Sequence, residues 1–384
     1  MAYFDNAATT YPKPECVYSF MDSFYREHGG SAGRGSHSLS MSAGKLISDT
    51  RLRLKEILHC QNKEIVFTST ATVALNMILQ GLILDGNRKI RTVYISPFEH
   101  NAVTRTLHHF EKSGIIVVKA LPVDENLAYD FSGIEDEFKN APPNLLVISH
   151  ASNVIGLVSP AEKLCRLAKG FNAITVIDMA QTAGLVDLNV GLETIDFAVF
   201  AGHKTLYGPT GISGFAMKNN FDLPPLLFGG TGYESANQEM PRELPQRFEM
   251  GTLNIAGIAG LYASTGWILE NVTDTLFRRE QEHRKSLLEI LEQYDFIKTV
   301  GNFPGNLYVS IVSCLIEGIP SDTAASIFAE QNIAVRTGLQ CAPLAHKTLG
   351  TFPAGTVRFS CGYFTTKNDF EELETVLKYI ERNL

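Results

Sequence analysis

The sequence predicts an α/β fold: a large unit built on a mostly parallel sheet flanked by helices, followed by a smaller α+β unit. Three observations carry this expectation. Between residues 65 and 217, short apolar runs rich in Val, Ile and Phe alternate with segments whose apolar residues recur at helical spacing. The runs end in clusters of Ser, Asn, Gly and Pro, the punctuation of strand-to-helix turns. At 384 residues the chain is long enough for a large core and two domains.

The elements follow in order. Tyr3 to Pro14 reads as a short strand entering a small-residue turn closed by Pro12 and Pro14. Residues 29–38 form a glycine-rich loop carrying Arg34 and His37, and a helix is expected over 42–58. Strand 65–68 leads through Ser69-Thr70-Ala71-Thr72 into a helix starting near Val73. The free amides of that helix start, with the Thr72 hydroxyl, make an anion site, although plain capping by Ser or Thr gives the same pattern. Strands are expected at 91–95, 115–119, 144–148, 173–177, 196–200 and 212–217, with helices after His100 and over 132–139 and 160–169. Residues 222–254 lack periodicity. A long helical stretch, 257–293, leads to strands at 306–312, 333–336 and 356–360 and helices at 322–331 and 367–382.

In parallel sheets, functional groups collect at the carboxyl ends of strands. Here four such ends carry chemistry: His100, Asn153, the Asp178/Gln181 pair, and His203-Lys204 within Phe200 to Gly211. A single His or Asn after a strand is most often a turn residue; four together are not explained that way. Lysine is the residue whose amine forms a Schiff base with pyridoxal phosphate, and an aspartate can keep that cofactor's ring nitrogen protonated. In the carboxy-terminal region, Arg358 sits among apolar neighbours on a strand. It is suited either to an internal ion pair or to a bidentate grip on a substrate carboxylate. Cys341 lies on a Gly/Pro-bounded loop between Arg336 and Arg358, a setting that favours thiolate chemistry over the usual core role.

The net charge of −8 and the lack of a basic run argue against nucleic-acid or membrane-surface binding. No apolar segment reaches spanning length, and no signal peptide is expected. The six cysteines show no CxxC or metal spacing, so reduced thiols in the cytoplasm are expected, with no metal site.

These motifs together resemble the class V aminotransferase family of fold-type I pyridoxal-phosphate enzymes, and within it the cysteine desulfurase and selenocysteine lyase branch. The resemblance runs from residue 3 to the last helix. It rests on the lysine loop, Asp-x-x-Gln at 178–181, Arg-x-Gly-x-x-Cys at 336–341 and Arg-Phe-Glu-x-Gly-Thr-x-Asn at 247–254. It implies a large cofactor-binding domain over 15–269 and a small domain formed by 270–384 with the arm 1–14. By the same resemblance, Ala71, Thr72, His100, Asn153, Asp178, Gln181, His203 and Lys204 hold pyridoxal 5'-phosphate, and Thr252 reaches the phosphate of the opposite subunit of a homodimer. Arg358, Asn153, Arg336, Arg34 and His37 border the substrate. Lys204, His100 and Cys341 act on it, Cys341 taking sulfur from cysteine as a persulfide for an acceptor protein, as in iron–sulfur cluster assembly. Two departures stand out: Ala201 replaces a common serine of the phosphate cup, and Leu339-Gln340 replaces a common His-His pair before the cysteine. Selenocysteine lyase, an epimerase or aminotransferase without persulfide chemistry, and a non-catalytic sulfur-carrier scaffold are the competing readings.

Overall fold

The computed structural model describes residues 1–32, 35, 37–234, 236–271 and 273–383, with the side chains of 273 and 274 excepted. Its helices are α1 (Glu15–His28), α2 (Ser38–Ile57), α3 (Ala71–Leu84), α4 (Asn101–Lys112), α5 (Phe131–Asn140), α6 (Ala161–Lys169), α7 (Ile255–Asn271), α8 (Thr273–Leu291), α9 (Ser321–Glu330), α10 (Pro343–Thr348) and α11 (Lys367–Asn383). Its strands are β1 (Ala2–Tyr3), β2 (Lys63–Thr68), β3 (Thr92–Ile95), β4 (Val117–Ala120), β5 (Leu145–Ser149), β6 (Ile174–Asp178), β7 (Phe197–Ala201), β8 (Ser213–Lys218), β9 (Ile297–Val300), β10 (Ile311–Ile316), β11 (Ile333–Ala334), β12 (Arg336–Gly338) and β13 (Thr356–Ser360).

Seven strands form one sheet in the order β2-β8-β7-β6-β5-β3-β4. The pairings β7-β6-β5-β3-β4 are parallel, and β8 runs antiparallel between β2 and β7. The central runs of β5 and β7 are apolar at nearly every position because both faces are covered, whereas edge strand β4 is partly exposed. Alternate side chains of a strand then belong to opposite cores. Leu145 and Val147 of β5 and Phe197 and Val199 of β7 join the core under α3 and α4. Leu146, Ile148, Ala198 and Phe200 join the core under α2, α5, α6 and α7. A one-residue slip of either strand would exchange the two sets, so burial on both sides fixes the register.

The carboxy-terminal strands form a second, antiparallel sheet in the order β12-β13-β10-β9. Its core joins Val312, Phe359 and Phe328 to Leu287 of α8 and Leu373 and Leu377 of α11. Phe4 is buried in this core, and β1 pairs in parallel with β11, so the amino-terminal arm belongs to it.

Several expectations need correction. The long helical stretch is two helices, α7 and α8, and the strand expected at 306–312 lies at Ile311–Ile316. The strand at 333–336 is divided between β11 and β12, while α1, β9 and α10 are additional elements. The helix expected near Val73 begins at Ala71, with Thr70 as its cap. Among the described residues, no helix is long and apolar enough to cross a membrane.

Candidate active site

The carboxyl ends of β2, β3, β5, β6 and β7 open onto a pocket of about 220 Å³ whose lining includes Thr72, His100, Asn153, Asp178, His203 and Lys204. Each strand stops where its apolar run gives way to a polar turn, so the large sheet itself gathers these groups. Gly202 lets the lysine loop fold back on β8: a Cβ there would stand 2.4 Å from the Ile212 carbonyl oxygen. The next two residues are pinned by the arm. Lys13 Nζ (2.7 Å), Thr9 Oγ1 (3.1 Å) and Thr10 N (3.2 Å) all donate to the His203 carbonyl, and Thr10 Oγ1 donates to that of Lys204 (3.1 Å).

The Lys204 side chain is left free. Among the described residues its ammonium takes part in no hydrogen bond or ion pair, and burial lowers its pKa to about 8, against the attraction of Asp178. Asp178 is buried, which raises its pKa, while Ala180 N donates to its Oδ1 at 2.9 Å. Gln181 lines the pocket with its Nε2 donating to the Ala7 carbonyl (3.0 Å). His100 caps α4: Ala102 N donates to its Nδ1 at 3.0 Å, so in the neutral ring Nε2 carries the proton. Burial holds that ring neutral, its pKa lowered to about 4.

The donor set fits pyridoxal phosphate. At the start of α3, Val73 N is satisfied by the Thr70 hydroxyl and Ala74 N by the Thr70 carbonyl. The amides of Ala71 and Thr72, both in the pocket lining, have no partner among the described residues and are suited to an anion. Asn153 Oδ1 and His203 Nδ1, on two other lining residues, are buried without a partner, a costly state unless a bound polar molecule answers them. A carboxylate on one side and a free amine on another complete what the cofactor's ring nitrogen and aldehyde require.

Arg358, on β13, is not among the residues lining the pocket, though its charge acts on Lys204 and His100, and that charge is already matched. Its Nη2 pairs with Asp5 Oδ1 at 2.7 Å, and its Nη1 donates to the Asn153 carbonyl at 2.8 Å. Its Nε is buried without a partner. The internal ion pair foreseen as one use of this arginine is therefore present, and a substrate carboxylate has the remaining N–H groups to address.

Cys341 is exposed and lies outside the pocket proper. It lines a neighbouring hollow that shares Thr72, His100 and Ala102 with the pocket, so His100 stands between thiol and lysine sites. A larger outer groove of about 890 Å³ also meets Cys341. Arg336 opposes Arg358 in register, yet it is exposed and lines that outer groove instead of the pocket.

Two other expected site residues are elsewhere, and a third is not among the described residues. His37 caps α2, its Nδ1 accepting from Ser40 N at 3.3 Å. Thr252 lines a separate hollow with Ser69, Val73 and Leu227. Arg34 lies outside the described residues. The motif around Thr252 is structural on this chain. Glu249 pairs with Arg51 of α2 and accepts from Phe67 N of β2 (2.8 Å), while Asn254 bonds the Gly211 carbonyl and the Gly257 amide.

Three residues that matter were not singled out from sequence: Asp5, Lys13 and Glu99. Glu99 is wholly buried and accepts from both the amide and the hydroxyl (2.8 Å) of Ser149, the residue facing Asp178 across β5 and β6. Burial first, and Asp178 in the same direction, push its pKa up to about 8. Lys13 is a largely buried amine lowered to about 7 by desolvation. The signal for Glu99 was its place beside His100 at a strand end; for Asp5 and Lys13 it was charge within an otherwise small-residue arm.

The chain belongs to the aminotransferase class-V family, a family of pyridoxal-phosphate-dependent enzymes, whose model matches residues 2–373. A probable cysteine desulfurase of Pyrococcus abyssi (strain GE5 / Orsay) is 32% identical over 390 residues, covering 99% of this chain and 93% of the relative. A probable cysteine desulfurase of Xylella fastidiosa (strain Temecula1 / ATCC 700964) is 31% identical over 392 residues, covering 100% and 92%. The apo structure of the cysteine desulfurase from Thermococcus onnurineus NA1 matches with a TM-score of 0.90 at 29% identity, covering 100% of this chain and 95% of that one.

Proposed function

We propose that this chain is a pyridoxal-phosphate-dependent cysteine desulfurase that converts L-cysteine to L-alanine and receives the sulfur on Cys341. The observation that carries the reading is the free, half-buried Lys204 amine in the same pocket as Asp178, with an exposed cysteine in the adjoining hollow. The relatives named above support the choice of cysteine as substrate.

Lys204, Asp178, His100, Asn153, Gln181, His203, Ala71 and Thr72 would hold the cofactor, which when bound supplies an electron sink for the substrate's α-carbon. Asp178, which lines the pocket, would supply the negative charge that keeps the cofactor's ring nitrogen protonated. Lys204, with a pKa near working pH, takes the α-proton and returns a proton to the product. Arg358 orients the substrate carboxylate through the N–H groups that Asp5 and Asn153 leave open. The Cys341 thiolate attacks the substrate sulfur. An S–S bond forms, the substrate C–S bond breaks, and its electron pair stays with carbon, which takes a proton. Cysteine plus the Cys341 thiol thus become alanine plus a persulfide, with no outside oxidant. His100, neutral and with its Nε2 carrying a proton, is suited to hydrogen-bond and orient the bound substrate.

A homodimer belongs to the same reading, with Thr252 serving the partner's phosphate site. Leu227 and Phe228, in the segment leading to Thr252, are exposed and suit coverage by a second copy. The persulfide would pass to an acceptor protein.

The test is alanine formation from cysteine under reducing conditions by wild type and Cys341→Ala, with the visible spectrum followed on substrate addition. Both proteins should change colour with cysteine, and only wild type should form alanine and a persulfide. Equal alanine rates would move the function to a lyase or aminotransferase without a cysteine nucleophile.

A further inference from the structure

Gln340 immediately precedes Cys341. It is buried although its neighbour is exposed. Its side chain is fully engaged: Nε2 donates to the Thr356 carbonyl of β13 (3.1 Å), and Oε1 lies 2.8 Å from His346 Nε2. His346, on α10, has no exposed surface, and its Nδ1 lies 2.7 Å from the Thr351 hydroxyl. Because Gln340 Oε1 can only accept, His346 Nε2 must carry the proton and Nδ1 accepts from Thr351, which fixes the tautomer. The main chain is held as well. Asn153 Nδ2 donates to the Gln340 carbonyl (2.7 Å), and Asn101 N, at the start of α4, donates to the Cys341 carbonyl (2.7 Å).

These bonds surround a backbone that does not choose its own conformation. Gln340 and Cys341 both have positive φ, 41° and 57°, a region costly for residues with a Cβ and kept only where the surroundings impose it. The network also returns to the pocket. Thr356 bonds Ser313, whose hydroxyl donates to the Val154 carbonyl (2.6 Å), next to Asn153, and the Asn153 carbonyl accepts from Arg358.

We infer that Gln340 and His346 are positioning residues which lock the backbone of Cys341 in its left-handed turn and tie it, through Asn153, to the wall of the cofactor pocket. The inference rests on the reading of Cys341 as the sulfur-accepting nucleophile. Gln340 is, on this account, part of a clamp, with His346 as its partner. His346 is kept neutral by burial, its pKa lowered to about 4, so the clamp holds throughout the working pH range. The groups facing it are Gln340, Thr351 and Thr356, none of which titrates there.

The experiment compares wild type, Gln340→Met, Gln340→Glu and Cys341→Ala, each as cofactor-loaded protein. Three quantities are followed: the spectral change on adding cysteine, alanine formation, and the rate at which iodoacetamide labels residue 341, located by peptide mass. Met matches Gln in shape and removes every side-chain bond. Gln340→Met should keep the spectral change, since Lys204 and Arg358 are untouched, yet lose up to about 10²-fold in alanine formation, the scale of a one-ångström misplacement of a reacting group. Its labelling rate should shift several-fold. Gln340→Glu should recover part of the activity at low pH, where its acid form can donate to Thr356 and accept from His346, and lose it as pH rises. Wild-type alanine and labelling rates in Gln340→Met would overturn the inference, and should that variant not fold, a Gln340→Glu protein without pH dependence would do so. Wild-type alanine formation by Cys341→Ala would instead refute the desulfurase reading, leaving the labelling rates to decide the clamp.

Discussion

Replacing Glu99 by Gln should remove a pH-dependent weakness from the fold. The carboxyl holds its proton up to about 8, against 4.5 for an ordinary glutamate, chiefly because it is buried. Between those values the folded chain keeps a proton that the unfolded chain releases, so stability falls as pH rises across the window and levels off above about 8. At 1.36 kcal/mol per unit, the loss from pH 6.5 to 8.0 is roughly 2 kcal/mol from this group. Glu280, buried against Tyr207 and also raised to about 8, adds a similar amount. Lys13, lowered to about 7, works the other way above pH 7, because there the unfolded chain binds the extra proton; it offsets about 1.4 kcal/mol by pH 8.0. The histidines held down at about 4 are neutral in the fold, yet the unfolded chain still sheds protons from them above pH 6.5, so they too offset part of the loss, and they do so alike in both proteins. Wild type should therefore lose roughly 2 kcal/mol more than Glu99→Gln between pH 6.5 and 8.0, the other groups acting equally in both. Gln keeps both contacts, its carbonyl accepting from Ser149 N and its amide donating to the Ser149 hydroxyl. Urea unfolding of cofactor-free protein, followed by the fluorescence of Trp267, measures the difference. Parallel pH profiles for the two proteins would refute the account of Glu99 as a buried neutral acid.

Asp5→Ala should strand a buried guanidinium. Breaking a buried pair by removing one partner costs about 3–5 kcal/mol, and the partial exposure of Asp5 points to the lower end, so a marked fall in melting temperature is expected, checked by calorimetry. Asp178→Asn keeps shape and removes charge. It should retain cofactor, measured by absorbance after gel filtration, while losing about 10²–10⁴-fold or more in turnover.

The large sheet was legible because burial on both faces writes its central strands as apolar runs, Leu145 to Ile148 and Phe197 to Ala201 being the plainest. Lys204, Asp178, Asn153 and His100 were legible because each follows such a run. What the sequence could not display were contacts between distant segments. Asp5 is an unremarkable residue of an arm until β13, 353 residues later, brings Arg358 against it. Gln340 reads as the loss of an acid–base group until Thr356 and His346 are seen to hold it. Helix α1 carried a usable signal in Val17, Phe20, Met21 and Phe24, but Pro12 and Pro14 drew the reading toward an irregular arm. Arg336 looked equivalent to Arg358 because both flank the cysteine loop, whereas burial, which separates them, follows from their places in the antiparallel sheet.

The arm that pins the lysine loop also sets an order of events during synthesis. Residues 2–13 are made early, yet Ala2 and Tyr3 pair with β11, Asp5 with Arg358, and Ala7 with Ser360. At about 5–20 residues per second, tens of seconds separate the two ends of these contacts on the ribosome. Throughout that interval the large sheet can collapse around its own apolar strands, while Lys204 lacks the closure that the arm and the last sheet provide together. A nascent chain would thus carry its reactive amine in an unfinished site, and competence would arrive only with the final quarter of the polypeptide.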